Sequence, residues 1–437
     1  MLSGGLARGR LRPLWRRLEA PDCASSVVLR PAVIRRLRCR DPAGKGGSDG
    51  RTPRPFVRSE SELAPLRVLG LIDRMCSLQR TPLHEFHREH GARFVDFAGW
   101  EMPVQYRSIL EEHRAVRTTA GLFDVSHMGE IRVTGDGAAG FLNHLLTNDV
   151  ARLVAGRVLY SPMCLPDGGV VDDLLVSCVA PGDFLLCVNA SNCEKDLAWI
   201  EAQAAGFDCR IRDQSADFGL LAVQGPAADT VIARLSALPV ASLRYYSFVE
   251  GEVAGVGCLV SRTGYTGERG FELFCPSDRA PTLARSILEA GAPDGLVLAG
   301  LGARDSLRLE AGFSLYGHEI SESISPIEAG LQWTVKFAKP DFIGREALLE
   351  QHEKGSRSRI AFFRTGDRRI VRAGTDVLSG DKPVGRVVSG TLSPTLNEAI
   401  GSMHVAVDSL GETLTVDLRG HRQVLEVTQP PFVPLKR

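Results

Sequence analysis

Asp172 and Asp173 stand side by side in YSPMCLPDGGVVDDLLV, residues 160–176, and no other part of the chain is so well placed for proton or orientation chemistry. Pro166-Asp167-Gly168-Gly169 is a turn signal, because glycine reaches positive φ at little steric cost. The apolar runs on either side predict two strands joined by a sharp reversal, with both acids on the second. Side chains alternate along a strand, so the two acids are expected on opposite faces. A carboxylate turned inward needs hydrogen-bond or charge partners, or it takes up a proton. One Asp of the pair is therefore a candidate active-site group. The competing reading is a surface Asp beside a structural Asp that caps the turn, a common use of buried acids.

The elements that must hold this hairpin are legible as pattern. From about residue 77 to 340, strand-like and helix-like segments alternate. GEIRVTGDGA, from Gly129, reads as a strand and a turn. GAAGFLNHLLTNDV, from Gly137, predicts an amphipathic helix with Phe141, Leu142, Leu145 and Leu146 near helical spacing. EKDLAWIEAQAAG, from Glu194, predicts a second helix, ended by Gly206. FGLLAVQGPAADTVIARL, from Phe218, reads as a buried strand, a Gly-Pro turn and a helix. PTLARSILEAGA and LAGLGARDSLRLEAG predict two more helices. KPDFIGREALLEQHEKGSRS, from Lys339, links this part to a run of short strands beginning near residue 355, the pattern of a small antiparallel β-barrel.

Composition narrows the class. The 437 residues suffice for two or three domains and a sizeable core. Lys plus Arg equals Asp plus Glu, so overall charge argues against a nucleic-acid partner. The balance conceals an asymmetry. Residues 1–58 hold fourteen Lys/Arg against four Asp/Glu, which leaves the remainder mildly acidic. The ten cysteines form no C-x-x-C pair and no zinc-ligand spacing, and most lie in apolar runs as small hydrophobes do. No metal site is expected. No apolar run reaches 18 residues, so no membrane span is expected.

Nine segments, in order, carry a resemblance. They are RTPLHEFHREHGARFVDFAGWEMPVQY from Arg80, GLFDVSHMGE from Gly121, the acidic hairpin, FLLCVNASNCEKD from Phe184, SRTGYTGERGFEL from Ser261 and LGARDSLRLEAGFSLYGHEI from Leu301. SPIEAGLQWTV from Ser325, SGTLSPTLNEAIG from Ser389 and the closing PPFVP complete the series. Together they cover residue 78 to the end, and the chain resembles the aminomethyltransferase of the glycine cleavage system, the T-protein family. The resemblance implies an α+β fold, with three subdomains in a cloverleaf around a central folate cavity and a C-terminal antiparallel β-barrel. It implies transfer of a methylene from an aminomethyl group on the lipoylated H-protein to tetrahydrofolate, which releases ammonia. Tetrahydrofolate is then the acceptor, with no flavin. The expected domains are a folate-binding part at 77–340 and a barrel at 341–437.

The resemblance also assigns residues. Asp173 matches the family's key acid, and Asp172 is the more structural of the two. Glu272 matches the position that binds the pterin ring, and Arg304 is a further candidate for binding folate. A carboxylate there accepts two parallel N–H donors, and a guanidinium fork suits a carboxylate or a ring carbonyl. Read alone, Glu272 is a solvent-facing strand residue and Arg304 a surface member of an array with Arg308 or a partner of Asp305. Tyr160, Tyr265, Met128 and Asn189 match cavity-lining positions. Glu268 is expected to be solvated in its turn, and His127 to be a satisfied core residue. Two positions depart from the family. Ser177 stands where many members carry Tyr, and only Leu435, Lys436 and Arg437 follow PPFVP. Lys436 or Arg437 is a candidate contact for the folate glutamate tail.

Two other readings share the folate module. An oxidative demethylase carries a flavin domain with a Gly-rich fingerprint, which is not found here. A non-catalytic iron–sulfur maintenance protein carries a Lys-Gly-Cys signature, not found near residues 261–275. Residues 1–76 read as a disordered Arg-rich extension, either a transit peptide or a mis-assigned start. The bacterial look of the core segments favours the cytoplasm, with the mitochondrion as the alternative.

Overall fold

The computed structural model describes residues 78–436; the N-terminal extension and Arg437 lie outside them. Two sheets stack face to face, with helices on their outer sides. The first sheet runs, in spatial order, Phe248–Val253, Val256–Ser261, Gly270–Pro276, Phe218–Gln224, Ala120–Asp124 and Leu296–Leu298. Only its last pair is parallel. The second is antiparallel throughout, in the order Arg157–Cys164, Val170–Ala180, Asp183–Val188, Gly129–Thr134 and Arg210–Asp213.

The period-2 rule decides what each face sees. In the first sheet, Phe271, Leu273 and Cys275 pack outward with residues of helices Ala228–Leu235 and Ala280–Gly291. Glu272 and Phe274 take the inner face. In the second, Leu174 and Val176 pack outward with Phe141, Leu142, Leu145 and Ile200 of helices Ala138–Leu145 and Cys193–Gln203. Asp173 and Leu175 therefore face inward. The layer between the sheets joins Phe123, Leu220, Leu259 and Phe274 from one to Val158, Leu185 and Cys187 from the other.

A closed six-stranded barrel follows: Ser358–Arg364, Glu398–Ala406, Lys382–Ser393, Asp376–Ser379, Leu414–Asp417 and Arg422–Thr428. All its pairs are antiparallel, as the short strands imply. Its interior holds Phe363, Val377, Val387, Met403 and Leu425. The linker before it contains a helix, Arg345–Lys354.

Helix Leu301–Glu310 fastens the layers to the barrel. Arg308 donates to Asp305 (2.9 Å), Glu319 (2.9 Å) and the barrel hydroxyl of Ser389 (2.8 Å). Glu310 accepts from Arg117 (2.9 Å) and from the Thr395 hydroxyl (3.0 Å). One helix end departs from expectation. The helix begun at Cys193 stops at Gln203, and Gly206, with φ +90°, belongs to the turn beyond it.

Candidate functional site

The PDGG turn forms as its residues predict. Leu165 N–H donates to Gly169 O at 2.8 Å, and Gly168 takes φ +92°. The two strands it joins pair in register, with Pro162 opposite Asp173 and Met163 opposite Asp172. Tyr160, two residues from Pro162, points to the same face as Asp173, and its hydroxyl donates to Asp173 Oδ2 at 2.9 Å. Asn189, just past the neighbouring strand Asp183–Val188, donates from Nδ2 to Asp173 Oδ1 at 2.8 Å. The same amide lies 2.9 Å from Asp172 Oδ1, and the Asn189 backbone N–H donates to Asp172 Oδ2 at 2.9 Å. Asn192 adds a third donor to Asp172 at 2.6 Å.

The two acids thus take opposite faces, and Asn189 at the strand end reaches both. Asp172 is fully buried and saturated with donors, which suits a structural acid. Asp173 is partly exposed. Burial, followed by the Asp172 charge, pushes the Asp173 carboxyl up to about 7, against the pull of Tyr160 and Asn189. An acid held there exchanges its proton near neutrality, the condition for acid–base work.

Glu272 faces the same layer from the first sheet. Among the described residues, its one hydrogen-bond donor is the Thr263 hydroxyl. Burial raises its carboxyl, while Thr263 and the Arg304 charge oppose the rise. The Arg304 guanidinium makes no hydrogen bond or ion pair among the described residues; it lies 4.7 Å from the centre of the Tyr265 ring. Burial lowers it, and Glu272 and Tyr265 oppose. It is neither the partner of Asp305 nor part of a surface array with Arg308, which is itself buried and takes Asp305. Tyr265 donates to Ser314 O and stacks on Phe313 at 5.8 Å. Gln224, buried under the Tyr265 loop, fixes it through Thr263 O (3.1 Å) and the Thr266 hydroxyl (2.9 Å). Met128 packs against the inter-sheet cluster. After burial, the Asp173 charge is among the forces that raise the Tyr160 and Tyr265 hydroxyls.

Asp173, Asn189, Tyr160, Tyr265, Arg304 and Met128 are all partly exposed within an otherwise buried layer, so solvent reaches it there. The arrangement presents an uncommitted carboxylate, an uncommitted guanidinium and a near-neutral acid, with aromatic walls. That set can clamp a flat polar heterocycle and hold a reacting nitrogen beside an acid. Among the described residues no group of three or more His, Cys, Asp and Glu is arranged to hold a metal ion.

Three expectations need correction. Glu268 is not solvated: Arg117 (3.2 Å) holds it in a buried ion pair, and the more exposed Lys436 lies 3.7 Å from it. Lys436 is accordingly tied to that turn, with its backbone N–H on Gly267 O at 2.9 Å. His127 is buried, yet its Nδ1 has no partner, and burial lowers it to about 4. Sequence reasoning also missed residues. Trp333, 55% exposed, stacks on Tyr160 at 5.9 Å. Asn192 and Gln224 support the site from behind. An exposed Trp in a polar segment was the one signal available; polar side chains brought together by long-range strand pairing leave none.

Comparisons with known proteins agree on one family. The family model described as "GCVT N-terminal domain" matches residues 83–339, and "Glycine cleavage T-protein C-terminal barrel domain" matches 358–434. A curated "Aminomethyltransferase" of Moorella thermoacetica is 51% identical over 360 residues, which are 82% of this chain and 98% of that protein. One from Desulfitobacterium hafniense is 50% identical over 348 residues, 79% of this chain and 95% of its own length. The crystal structure of glycine cleavage system aminomethyltransferase T from Bartonella henselae superposes with a TM-score of 0.78 at 37% identity, covering 82% of this chain and 99% of that one.

Proposed function

The chain belongs to the glycine cleavage T-protein family of aminomethyltransferases, and from that premise we propose how its own residues carry out the transfer. It is an aminomethyltransferase of the glycine cleavage system, and its family uses folate. The methylene donor is an aminomethyl group held as a thioaminal on the lipoyl arm of the H-protein, and the acceptor is tetrahydrofolate. Two C–N bonds form at the methylene carbon. Its bonds to sulfur and to ammonia break, and the two protons lost from the folate nitrogens leave on the sulfur and the ammonia. The exchange involves no net oxidation, so we read it as needing neither flavin nor metal.

Glu272 accepts the paired N–H donors of the pterin edge. Arg304 meets a pterin carbonyl or a carboxylate with its fork. Tyr160, Tyr265 and Met128 wall the ring system, and apolar walls with a few placed polar groups are the usual form of such sites. Asp173, oriented by Asn189 and Tyr160, accepts a hydrogen bond from the anilino nitrogen and raises its nucleophilicity. Much of the rate then comes from holding the two reactants in register. One observation carries this reading: a single partly exposed carboxyl, pushed up to about 7, lies between a Tyr hydroxyl and an Asn amide in the inter-sheet layer.

We place the folate-binding part at 77–340 and the barrel domain at 341–437. The cytoplasm is the proposed location, supported by the bacterial relatives; among the described residues no helix is long and apolar enough to cross a membrane. The reading is tested by formation of methylenetetrahydrofolate from the aminomethylated carrier and tetrahydrofolate, with Asp173→Asn beside the wild type.

A further inference from the structure

Tyr265 and Arg304 come from different elements. Tyr265 lies in the loop between strands Val256–Ser261 and Gly270–Pro276, and Arg304 on helix Leu301–Glu310. They meet as a pair, with the guanidinium 4.7 Å from the ring centre. The guanidinium has no hydrogen bond or ion pair among the described residues, so the ring is the contact that directs it. Whatever sets the loop against the helix therefore sets the aim of Arg304. Arg117 joins the two. It sits in the last turn of helix Ile109–Thr118, and its side chain is 9% exposed. Its Nη1 donates to Thr266 O (2.7 Å) and to Glu268 (3.2 Å), in the loop beside Tyr265. Its Nε and Nη2 donate to Glu310 (3.1 and 2.9 Å), and Nη2 also lies 3.3 Å from Leu307 O, both on the helix that carries Arg304. All of its nitrogens are committed, and the rigid plane of a guanidinium fixes these directions relative to one another. Glu310 is itself anchored to the barrel through the Thr395 hydroxyl (3.0 Å), so the helix side of the tie is firm.

We propose that Arg117 is a positioning residue for folate binding: by tying Thr266 O and Glu268 to Leu307 O and Glu310, it fixes the Tyr265 ring against Arg304 and so aims the Arg304 guanidinium at the ligand. The proposal rests on the reading that Tyr265 and Arg304 bind folate. A purely structural Arg117 would do no more than neutralise two buried acids, Glu268 and Glu310, and a lysine would serve for that. The ammonium of a lysine is a point charge, and it cannot span loop and helix as the planar fork does. Arg117→Lys therefore separates charge from geometry.

The test is a double-mutant cycle on tetrahydrofolate affinity, measured by calorimetry on the full chain well below its unfolding temperature. Arg117→Lys is expected to raise both Kd and KM for tetrahydrofolate about tenfold, the worth of a well-placed cation–π contact. Its kcat at saturating tetrahydrofolate changes less, because Asp173 is held from the other sheet by Tyr160 and Asn189. Tyr265→Leu removes the relay, so adding Arg117→Lys to it should weaken binding no further, the non-additivity expected of residues that act through one another. Glu268→Ala releases the loop end of the tie while Arg117 stays on Glu310, and its Kd should rise in the same direction. Unchanged affinity in Arg117→Lys, or losses that multiply in the double variant, overturn the proposal. If Arg117→Lys does not fold, Glu268→Ala takes its place in the cycle and the same outcomes decide. The single variants separate the two ideas. If Tyr265→Leu and Arg304→Met bind tetrahydrofolate as the wild type does, the reading beneath falls; if they bind it weakly and Arg117→Lys does not, only the proposal falls.

Discussion

At the scale of single residues, the site works by leaving some groups uncommitted. Glu272 has one donor and Arg304 none among the described residues, so both have capacity for a ligand. Glu272→Gln turns half of the acceptor into a donor facing the pterin N–H groups. We expect tetrahydrofolate affinity, measured by calorimetry, to weaken about tenfold to a hundredfold, the usual worth of a charged hydrogen bond. Asp173 sets the pH response. It acts as the carboxylate and its folded value is about 7, so kcat is present above that value and is lost as pH falls through it. A kcat profile flat down to pH 5 would contradict this assignment. The chemistry-bearing types were legible in the sequence because the acids sit beside a turn and share a named pattern. Asn192 and Gln224 were not, because their partners come from strands and loops that meet only in the fold.

At the scale of elements, the hairpin is the part that must not move. Gly168 needs its positive φ, and Gly169 sits so close to the neighbouring segment that a Cβ there would lie 1.9 Å from Glu322 O. Gly169→Ala must push the turn away from residues 321 and 322, where Val170 N–H donates to Ser321 O at 2.9 Å. A loss of about 1–3 kcal/mol, as for other overpacked positions, is expected in denaturant unfolding, together with lower kcat. Retained stability and activity would mean that the hairpin is not held from this side. Turn, strands and amphipathic helices were readable from glycine chemistry and periodicity. The end of the helix at Gln203 was not: two alanines precede Gly206, and the turn closes before the glycine is reached. Glu268 misled for a similar reason. Turn position predicts exposure, but Arg117 on another element draws the acid inward.

At the scale of the whole molecule, the two sheets and the barrel are joined through helix Leu301–Glu310, which also carries Arg304. Arg308 is the bolt: nearly fully buried, it bonds Glu319 and the barrel residue Ser389. Arg308→Ala leaves the buried Glu319 charge uncompensated, and about 3–5 kcal/mol of stability should be lost by thermal or denaturant unfolding. A near-neutral result would show that the barrel is held by its apolar contacts alone. The alternation of strand and helix, and the final run of short strands, announced the architecture. The stacking of the sheets was not legible, because which face turns inward is settled by long-range pairing. The central claim is that Asp173 acts on the reacting nitrogen rather than supporting the fold. The most direct measurement compares methylenetetrahydrofolate formation from aminomethylated carrier by the wild type and Asp173→Asn, with tetrahydrofolate binding determined for both. Turnover by the wild type, a loss of about 10²–10⁴-fold in the variant, and retained binding are expected. Turnover by Asp173→Asn at the wild-type rate, or loss of binding in step with loss of turnover, would contradict it.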